Sequence, residues 1–394
     1  MTDRLYYHDA TLRHFTARIV EVSNDRRKVY LDRTAFYPTS GGQPHDLGTL
    51  EGAVIADVVD EGERIAHLLV TPLASAGTEV RGEIDWRRRF DHMQQHTGQH
   101  LLSAVIEDLT GLATVSVHFG AETSTLDVAD ARGQARMLDT TVLAEIEQRA
   151  NEIVAEARPV RVTFEDARSA TGLRKQSDRE GLLRVVSIEG VDRSACGGTH
   201  VSTTALIGPV LLRRQEKVKQ GLRLEFVCGR RAIERVRRDL DALSTVARLY
   251  SAGIDDVPRL AEAQMAQLRD QQGELKRAAD RLAAYRAAEL HAAAEARPDG
   301  VRVVVDRVEG SVDASRAVAL AFASLSNAMF VVASHAPPSV LVATSADSGV
   351  DAGKRLKPLL ERVGGRGGGS PRLAQGSVPS SEAVDEVVRG VVAS

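Results

Sequence analysis

The sequence contains very little cysteine and few aromatic residues. Its 394 residues include two cysteines, one tryptophan and 4% aromatic residues in total. Two cysteines cannot form a disulfide framework, and this usage is typical of a reducing compartment, where thiolates are free to bind metal. The chain has no apolar run of about 18 residues and no secretory signal at its N-terminus. We therefore expect a cytoplasmic protein that has no contact with a membrane.

A strong excess of charge of either sign is also missing. The chain has 51 Lys and Arg residues against 54 Asp and Glu residues. Binding to a nucleic acid would therefore depend on local basic patches rather than on a basic field over the whole protein. Short basic runs at residues 87–89, 213–219 and 230–231 could provide such patches. Each run is equally compatible with a solvated surface.

Local patterns divide the chain into four parts and predict a multidomain α+β fold. Residues 1–85 consist of short β-type runs between turn signals, which predicts an antiparallel β-barrel. Residues 86–229 alternate helical and strand patterns, which indicates an α+β core. Residues 230–297 are rich in strong helix formers. Residues 298–394 combine strand-like runs with a glycine-rich loop, which is typical of a small α/β domain.

The helical segment carries one regular apolar pattern. A break near residues 253–258 divides it into two helices, and Leu268, Leu275 and Leu282 are seven residues apart in the second helix. This spacing predicts a helical hairpin or a coiled-coil seam. The seam is short, so pairing within one chain and pairing between two chains both stay open. A homodimer through this segment or through the C-terminal domain is compatible with the pattern.

Two short motifs together predict a metal site. His96 and His100 are four residues apart on a predicted helix, so both imidazoles lie on one face, about 5–6 Å apart at Cβ. Cys196 and His200 flank a Gly-Gly turn that can direct a thiolate and an imidazole to one point. Three nitrogens and one sulfur suit the tetrahedral preference of Zn²⁺. We predict one zinc ion per chain, bound by these four residues.

Two other residues of types that can bind zinc, Cys228 and His92, are explained by the structure of the chain alone. Cys228 ends an apolar strand and is predicted to be a small buried residue. His92 precedes His96 by one helical turn, and we expect it on the adjoining surface. A zincin protease is excluded because its motif requires Glu directly after the first histidine, whereas residue 97 is Thr.

These motifs resemble the editing domain of alanyl-tRNA synthetase and its freestanding relatives of the AlaX family, in the long form. The editing core is similar in RRRFDHMQQHTGQHLL, RSACGGTHV and GLRLEFVCG, and the barrel in TAFYPTSGGQPHDLGTL. The segment GGGSPRLAQGS resembles the glycine-rich loop of the DHHA1 domain. The chain starts directly at the barrel and is too short to include an aminoacylation domain, so we expect it to act in trans.

The resemblance implies a zinc-dependent hydrolase that deacylates tRNA(Ala) carrying serine, or glycine, and spares alanine. Sparing alanine requires a polar partner for the serine hydroxyl, because a methyl-sized difference alone discriminates weakly. Glycines would let the backbone approach the aminoacyl group closely. Ordinary turns and structural hydroxyl groups explain the same residues equally well. The candidates are Gly41, Gly42, Thr114 and Ser116 for substrate binding, and Thr97 and Gln99 for catalysis.

Three other functions are alternatives to deacylation of tRNA(Ala). A threonyl-type tRNA editing domain uses a similar zinc motif, but the barrel glycines and the DHHA1-like segment favour alanine. A catalytically silent, zinc-containing tRNA-binding protein is compatible with four-ligand zinc. A phosphoesterase with a DHHA1 domain would need clustered aspartates, and the sequence has no Asp-His-His run. Whether zinc activates water or only positions the substrate stays open at this point.

Overall fold

The structure is a computed structural model that describes residues 1–74, 78–175 and 180–393. The chain divides into two compact units, residues 1–245 and 246–394. The N-terminal unit includes both the predicted barrel and the predicted editing core. The finer division into four domains stays a prediction.

A closed barrel forms the first part of the N-terminal unit. Its six strands follow the order β2-β3-β7-β6-β5-β8, and every neighbouring pair is antiparallel. Apolar and polar residues alternate along these strands, so that Val80 and Ile84 face the barrel interior. The short strands β1 and β4 pair in parallel beside it. The eight strands are β1 (Asp3–Arg4), β2 (His14–Val22), β3 (Lys28–Leu31), β4 (Arg33–Thr34), β5 (Gly48–Leu50), β6 (Ala53–Asp60), β7 (Ile65–Leu69) and β8 (Glu79–Ile84).

An α+β core built around one long helix follows the barrel. The helix α1 (Trp86–Thr110) begins at Asp85, whose side chain accepts a hydrogen bond from the backbone N–H of Arg88, and ends at Gly111 in the left-handed conformation. Two antiparallel sheets surround it, in the orders β14-β15-β10-β9 and β11-β12-β13. The remaining elements are β9 (Ala113–Phe119), β10 (Ser124–Ala129), α2 (Thr140–Ala155), β11 (Val160–Asp166), β12 (Leu182–Ile188), β13 (Asp192–Ala195), β14 (Val210–Val218), β15 (Gly221–Cys228) and α3 (Arg230–Leu249).

A buried ion pair fixes α1 to the barrel. The side chains of Arg89 and Asp46 are both fully buried and bonded to each other. The Arg89 guanidinium also donates hydrogen bonds to the backbone oxygens of Ala10 and Ala35. The desolvation of these two charges is offset because they pair with each other and the guanidinium donors are hydrogen-bonded. The third arginine of the run 87–89 is therefore a structural anchor and is not exposed to a ligand.

The C-terminal unit is a five-stranded sheet with helices on both faces. The strand order is β16-β17-β18-β20-β19, with β16 and β17 parallel and the other pairs antiparallel. One face packs on α6 and α7, and the other on α4 and α5. The elements are α4 (Val257–Ala293), β16 (Arg302–Val308), α5 (Arg316–Phe322), β17 (Ala328–His335), β18 (Pro338–Thr344), α6 (Ala352–Arg362), β19 (Arg366–Gly369), β20 (Leu373–Ser377) and α7 (Ser381–Ala393).

The predicted coiled-coil seam lies on α4. Leu268, Leu275 and Leu282 are 46%, 73% and 69% exposed, so their side chains are not part of an apolar core in the described chain. The pairing of this seam therefore stays a prediction. Within the described residues, no helix combines the length and the apolar character that crossing a bilayer requires.

Candidate metal centre

The four predicted ligands meet in one cluster. One ligand atom from each of His96, His100, Cys196 and His200 lies within 4.8 Å of the others. The Cys196 Sγ atom is 3.4 Å from Nε2 of His96 and 3.3 Å from Nε2 of His200. The two histidines on α1 bring their ring centroids to 5.3 Å. This cluster could hold a metal ion.

Glycines allow the two halves of the cluster to approach each other. A Cβ atom on Gly198 would lie 2.1 Å from Cε1 of His96, so only glycine lets the turn after β13 pass over that ring. On α1, a Cβ atom on Gly98 would lie 2.3 Å from Sγ of Cys228. Cys228 is fully buried and packs against the helix, as predicted. Gly198 is therefore required by close packing at the cluster, and Gly98 by the close packing of α1 against β15.

Each histidine of the cluster is oriented by a hydrogen bond at Nδ1. His96 Nδ1 lies 2.9 Å from Oε1 of Gln43, and His100 Nδ1 lies 2.7 Å from Oδ2 of Asp192. His200 Nδ1 lies 3.1 Å from Oγ1 of Thr97. A proton held at Nδ1 leaves the Nε2 lone pair free to bind a metal. All three rings thus present Nε2 as the available ligand atom.

The electrostatics of the cluster favour a thiolate and an ionised carboxylate. Burial raises the pKa of Cys196, but the rings of His96 and His200 oppose this and hold that pKa well below its usual value. Burial also raises the pKa of Asp192, yet its bonds to His100 and to Arg174 lower it to about 2. Nε of Arg174 lies 2.6 Å from Oδ1 of Asp192. A deprotonated thiol is the form that binds metal.

A cavity of about 640 Å³ opens onto the cluster. His96, Cys196 and the turn at Gly197 and Gly198 form one part of its wall. The site therefore has both a set of residues that could bind a metal ion and an adjoining space large enough for a small substrate group. The rest of the wall is formed by aromatic, apolar and charged side chains, which include Arg4, Tyr6, Tyr7, Tyr37, Pro38, Asp60, Phe164, Leu182, Leu183 and Arg184.

The four residues predicted to bind substrate occupy different positions. Gly41 lines the cavity with a positive φ of 57°. Gly42 has a φ of 83° and approaches the backbone oxygen of Val117, so its glycine is required by the barrel turn. The hydroxyl groups of Thr114 and Ser116 donate to other side chains and are not part of the cavity wall. Their role in substrate binding stays a prediction without a supporting contact.

The two residues predicted for catalysis are buried on α1. The Thr97 hydroxyl contacts Nδ1 of His200 and accepts a hydrogen bond from the backbone N–H of Val201 at 3.1 Å. Nε2 of Gln99 donates to Oγ of Ser103 at 2.7 Å. Neither residue is part of the cavity wall. Thr97 orients a candidate metal ligand, and its catalytic role and that of Gln99 stay predictions.

Sequence reasoning missed the residues that complete the site. Gln43 directly follows the Gly41-Gly42 pair, and its side chain also accepts a hydrogen bond from the backbone N–H of Thr199. Asp192 precedes Cys196 by four residues, within the same hairpin. Their proximity to the predicted motifs was a usable signal, but only the fold shows which histidine each one contacts.

A second cleft of about 430 Å³ brings two of the basic runs together. Arg87 and Arg88 lie on its wall with Arg230 and Arg231, which are more than a hundred residues later in the chain. His92 also lines this cleft but is only 4% exposed, so the expected surface position is wrong; it is not one of the four clustered residues. Arg231 is paired with Asp91 at 2.6 Å, and the 73% exposed side chain of Arg87 lies 3.9 Å from Glu234.

Two family profiles define the class of protein. Residues 183–224 match the threonyl and alanyl tRNA synthetase second additional domain, and residues 303–392 match the DHHA1 domain. The first match includes Cys196 and His200, and the second covers most of the C-terminal sheet. The chain therefore belongs to the class of proteins that combine this additional domain of tRNA synthetases with a DHHA1 domain.

Similar proteins narrow this class to a family. The alanyl-tRNA editing protein AlaX-L of Pyrococcus horikoshii is 31% identical over 398 residues, which are 96% of this chain and 95% of that protein. The alanine–tRNA ligases of Pyrococcus abyssi and Halorubrum lacusprofundi are 30% and 33% identical, and the match covers 43% of each ligase. The chain thus spans less than half the length of those ligases. It belongs to the family of AlaX-L alanyl-tRNA editing proteins.

Proposed function

We propose that this chain is a zinc-dependent aminoacyl-tRNA deacylase that acts in trans on tRNA(Ala) carrying serine, or glycine, and spares alanine. The observation that carries the proposal is the convergence of three imidazoles and one thiolate at the wall of an open cavity. Similarity to AlaX-L along nearly the full length of both chains supports the substrate class. The cytoplasmic location stays a prediction.

The donor set fits zinc. Tetrahedral coordination at zinc bond lengths places neighbouring ligand atoms about 3.5 Å apart. The Cys196 Sγ atom lies 3.3 and 3.4 Å from two of the imidazole nitrogens. His96, His100, Cys196 and His200 would hold one zinc ion, and their Nδ1 partners would keep the three rings in place. When bound, zinc supplies electrophilic assistance to ester hydrolysis, either at the ester carbonyl or at water.

The residues of the chain prepare the substrate for that reaction. The cavity admits the aminoacyl end, and Gly41 leaves space for it beside the turn of the barrel. Asp192 stays ionised and holds the His100 ring through its Nδ1 proton. Tyr7, Tyr37 and Ser40 line the cavity, and the hydroxyl of Tyr37, which donates to the backbone oxygen of Ser40, can still accept a hydrogen bond from a serine hydroxyl.

The cleft with the two basic runs is the proposed contact with the tRNA backbone. Arg87 and Arg88 are exposed to solvent or half-buried there, and arginine binds phosphate through a planar fork of donors. The leucines of α4 are exposed, so they could form the contact of the predicted homodimer through the helical segment. We assign no residue of the C-terminal unit to tRNA.

Deacylation assays test this function against its alternatives. We expect Ser-tRNA(Ala) to be hydrolysed faster than Ser-tRNA(Thr), whereas a threonyl-type editing domain would show the reverse order. Removal of zinc by a chelator and Cys196→Ala should each abolish hydrolysis, and added zinc should restore only the first. A protein that binds zinc and tRNA(Ala) without hydrolysing either ester would establish the silent binding protein instead.

A further inference from the structure

One arginine at the cavity is buried without a carboxylate partner. Arg184 lies on β12, lines the cavity and is 8% exposed. Its Nε donates to the backbone oxygen of Tyr7 at 3.0 Å, and its Nη1 donates to the backbone oxygen of Cys196 at 2.7 Å. Within residues 1–74, 78–175 and 180–393, no carboxylate oxygen lies within 4.0 Å of its guanidinium. Both of its fixed contacts are therefore neutral.

The other arginine on the cavity wall shows the contrast. Arg4 forms a two-point ion pair with Asp60, with distances of 2.7 and 2.8 Å, and also donates to the backbone oxygen of Gly62. Its charge is thus neutralised inside the protein. The charge of Arg184 has no such partner among the described carboxylates, and the Cys196 thiolate, which also acts on it, lies against the rings of His96 and His200. Burial of an unpaired charge is unfavourable, so a bound anion would relieve it.

The position of Arg184 indicates which anion it binds. Two of its nitrogens hold the N-terminal segment and the Cys196 turn, while Nη2 has no hydrogen bond to a described residue. Guanidinium groups recognise phosphate through their outer nitrogens. In an aminoacyl-tRNA, the anion nearest to the ester is the phosphate on the 5′ oxygen of the same ribose. We propose that Arg184 binds this phosphate and so positions the ester at the metal-binding cluster.

The proposal rests on the proposed function and is tested by the pair adenosine 5′-monophosphate and adenosine, which differ only in the phosphate. The zinc-loaded protein should bind the monophosphate about 10- to 100-fold more tightly, as expected for a charge-assisted hydrogen bond. In Arg184→Gln, the monophosphate should lose this advantage while the affinity for adenosine is unchanged. Arg184→Lys keeps the charge without the fork and should retain part of the preference.

A matched control removes the paired charges from the same cavity. The double variant Arg4→Gln with Asp60→Asn deletes one charge of each sign, so it should keep the preference for the monophosphate. The proposal is overturned if the wild-type protein binds both ligands equally, or if the preference persists in Arg184→Gln. It is also overturned if Arg184→Gln loses affinity for both ligands in parallel, because Arg184 would then act only as a link between Tyr7 and Cys196.

Kinetics on the full substrate separate this proposal from the proposed function. Arg184→Gln should raise KM for Ser-tRNA(Ala) about 10-fold or more and change kcat little, because the phosphate contact is the same in the ground state and the transition state. The protein could prefer the monophosphate and yet hydrolyse no aminoacyl ester. That result would support the phosphate site and contradict the proposed deacylase function. Deacylation without any preference would refute only the role of Arg184.

Discussion

Oε1 of Gln43 lies 2.9 Å from Nδ1 of His96 and 3.1 Å from the backbone nitrogen of Thr199. Nε2 of the same amide donates to the hydroxyl of Thr199 at 2.8 Å. One side chain from the barrel thus connects the helix that carries two predicted ligands to the turn that carries the other two. The side chain of Gln43 is fully buried, so water cannot replace these bonds freely.

Replacement of Gln43 should weaken metal binding. In Gln43→Ala, His96 loses the acceptor at Nδ1, and we expect the affinity for zinc to fall about 10- to 100-fold, as is usual for outer partners of metal ligands. Competition with a chromogenic chelator measures this. Gln148→Ala is the control, because Gln148 is exposed on α2 and its side chain donates a hydrogen bond to Glu152, away from the cluster. Equal zinc affinity in both variants would contradict the role of Gln43.

Two adjacent glycines should differ sharply in their tolerance of alanine. A Cβ atom on Gly198 would overlap the His96 ring at 2.1 and 2.4 Å, whereas one on Gly197 would meet the Tyr7 hydroxyl at an ordinary 3.5 Å. We expect Gly198→Ala to lose most of its bound zinc and Gly197→Ala to retain it. Elemental analysis of the purified variants decides this. Full zinc content in Gly198→Ala would mean that the turn does not pass over His96 as described.

The grouping of the four candidate metal ligands could be predicted from the sequence because their spacing is local. Four-residue separations put His96 beside His100 on a helix and Cys196 beside His200 around a turn, and the structure brings both pairs together. The partners at Nδ1 could not be predicted, since Gln43 and Asp192 are 53 and 92 residues away from the histidines that they contact. Such contacts depend on how the barrel and the sheets pack, which no local pattern specifies.

The same limit explains the uncertain substrate residues. Strand β9 contains Thr114 and Ser116, and no local pattern shows which side of this strand faces the cavity. The hydroxyl of Ser116 bonds to Asp127 on the neighbouring strand at 2.8 Å, and that of Thr114 bonds to Ser103 on α1 at 2.7 Å. The barrel was easier to predict, since its alternating strands and turn residues are local features. The order in which the strands pair to close the barrel could not be predicted from the sequence.

Stability of the N-terminal unit should depend on pH through a buried histidine of the barrel. Burial lowers the pKa of His67 to about 4, and its ring contacts the hydroxyl of Thr34 and the backbone oxygen of Val29. The unfolded chain takes up this proton near pH 6.5 and the folded chain only near pH 4, so stability is lost as pH falls between these values. The loss at pH 4 is about 3 kcal/mol for this group.

Denaturant unfolding at several pH values measures this effect. In His67→Gln, the residue no longer titrates, so the free energy of unfolding should fall less steeply than in the wild type between pH 6.5 and pH 4. The comparison uses the difference between the two proteins, because other groups titrate in both of them. Identical slopes would show that His67 is protonated equally in the folded and unfolded chains.

Loss of a basic side chain from the second cleft should weaken tRNA binding in a salt-dependent way. Arg88 lies on the wall of this cleft, and we expect Arg88→Gln to lower the affinity for tRNA and to reduce the slope of log affinity against log salt by about 1. Arg149→Gln removes an arginine that is paired with Glu152 on α2, and it should leave both quantities unchanged. Identical salt slopes for the two variants would place the tRNA elsewhere.

We propose above that hydrolysis at the candidate metal centre removes serine from tRNA(Ala) and leaves alanine in place. Single-turnover hydrolysis of Ser-tRNA(Ala) and Ala-tRNA(Ala) by the zinc-loaded protein tests this claim most directly. We predict that the seryl ester is hydrolysed at least about 100-fold faster, because a polar partner for the hydroxyl discriminates far more strongly than a difference in size. Equal rates for the two esters, or no hydrolysis of the seryl ester, would contradict it.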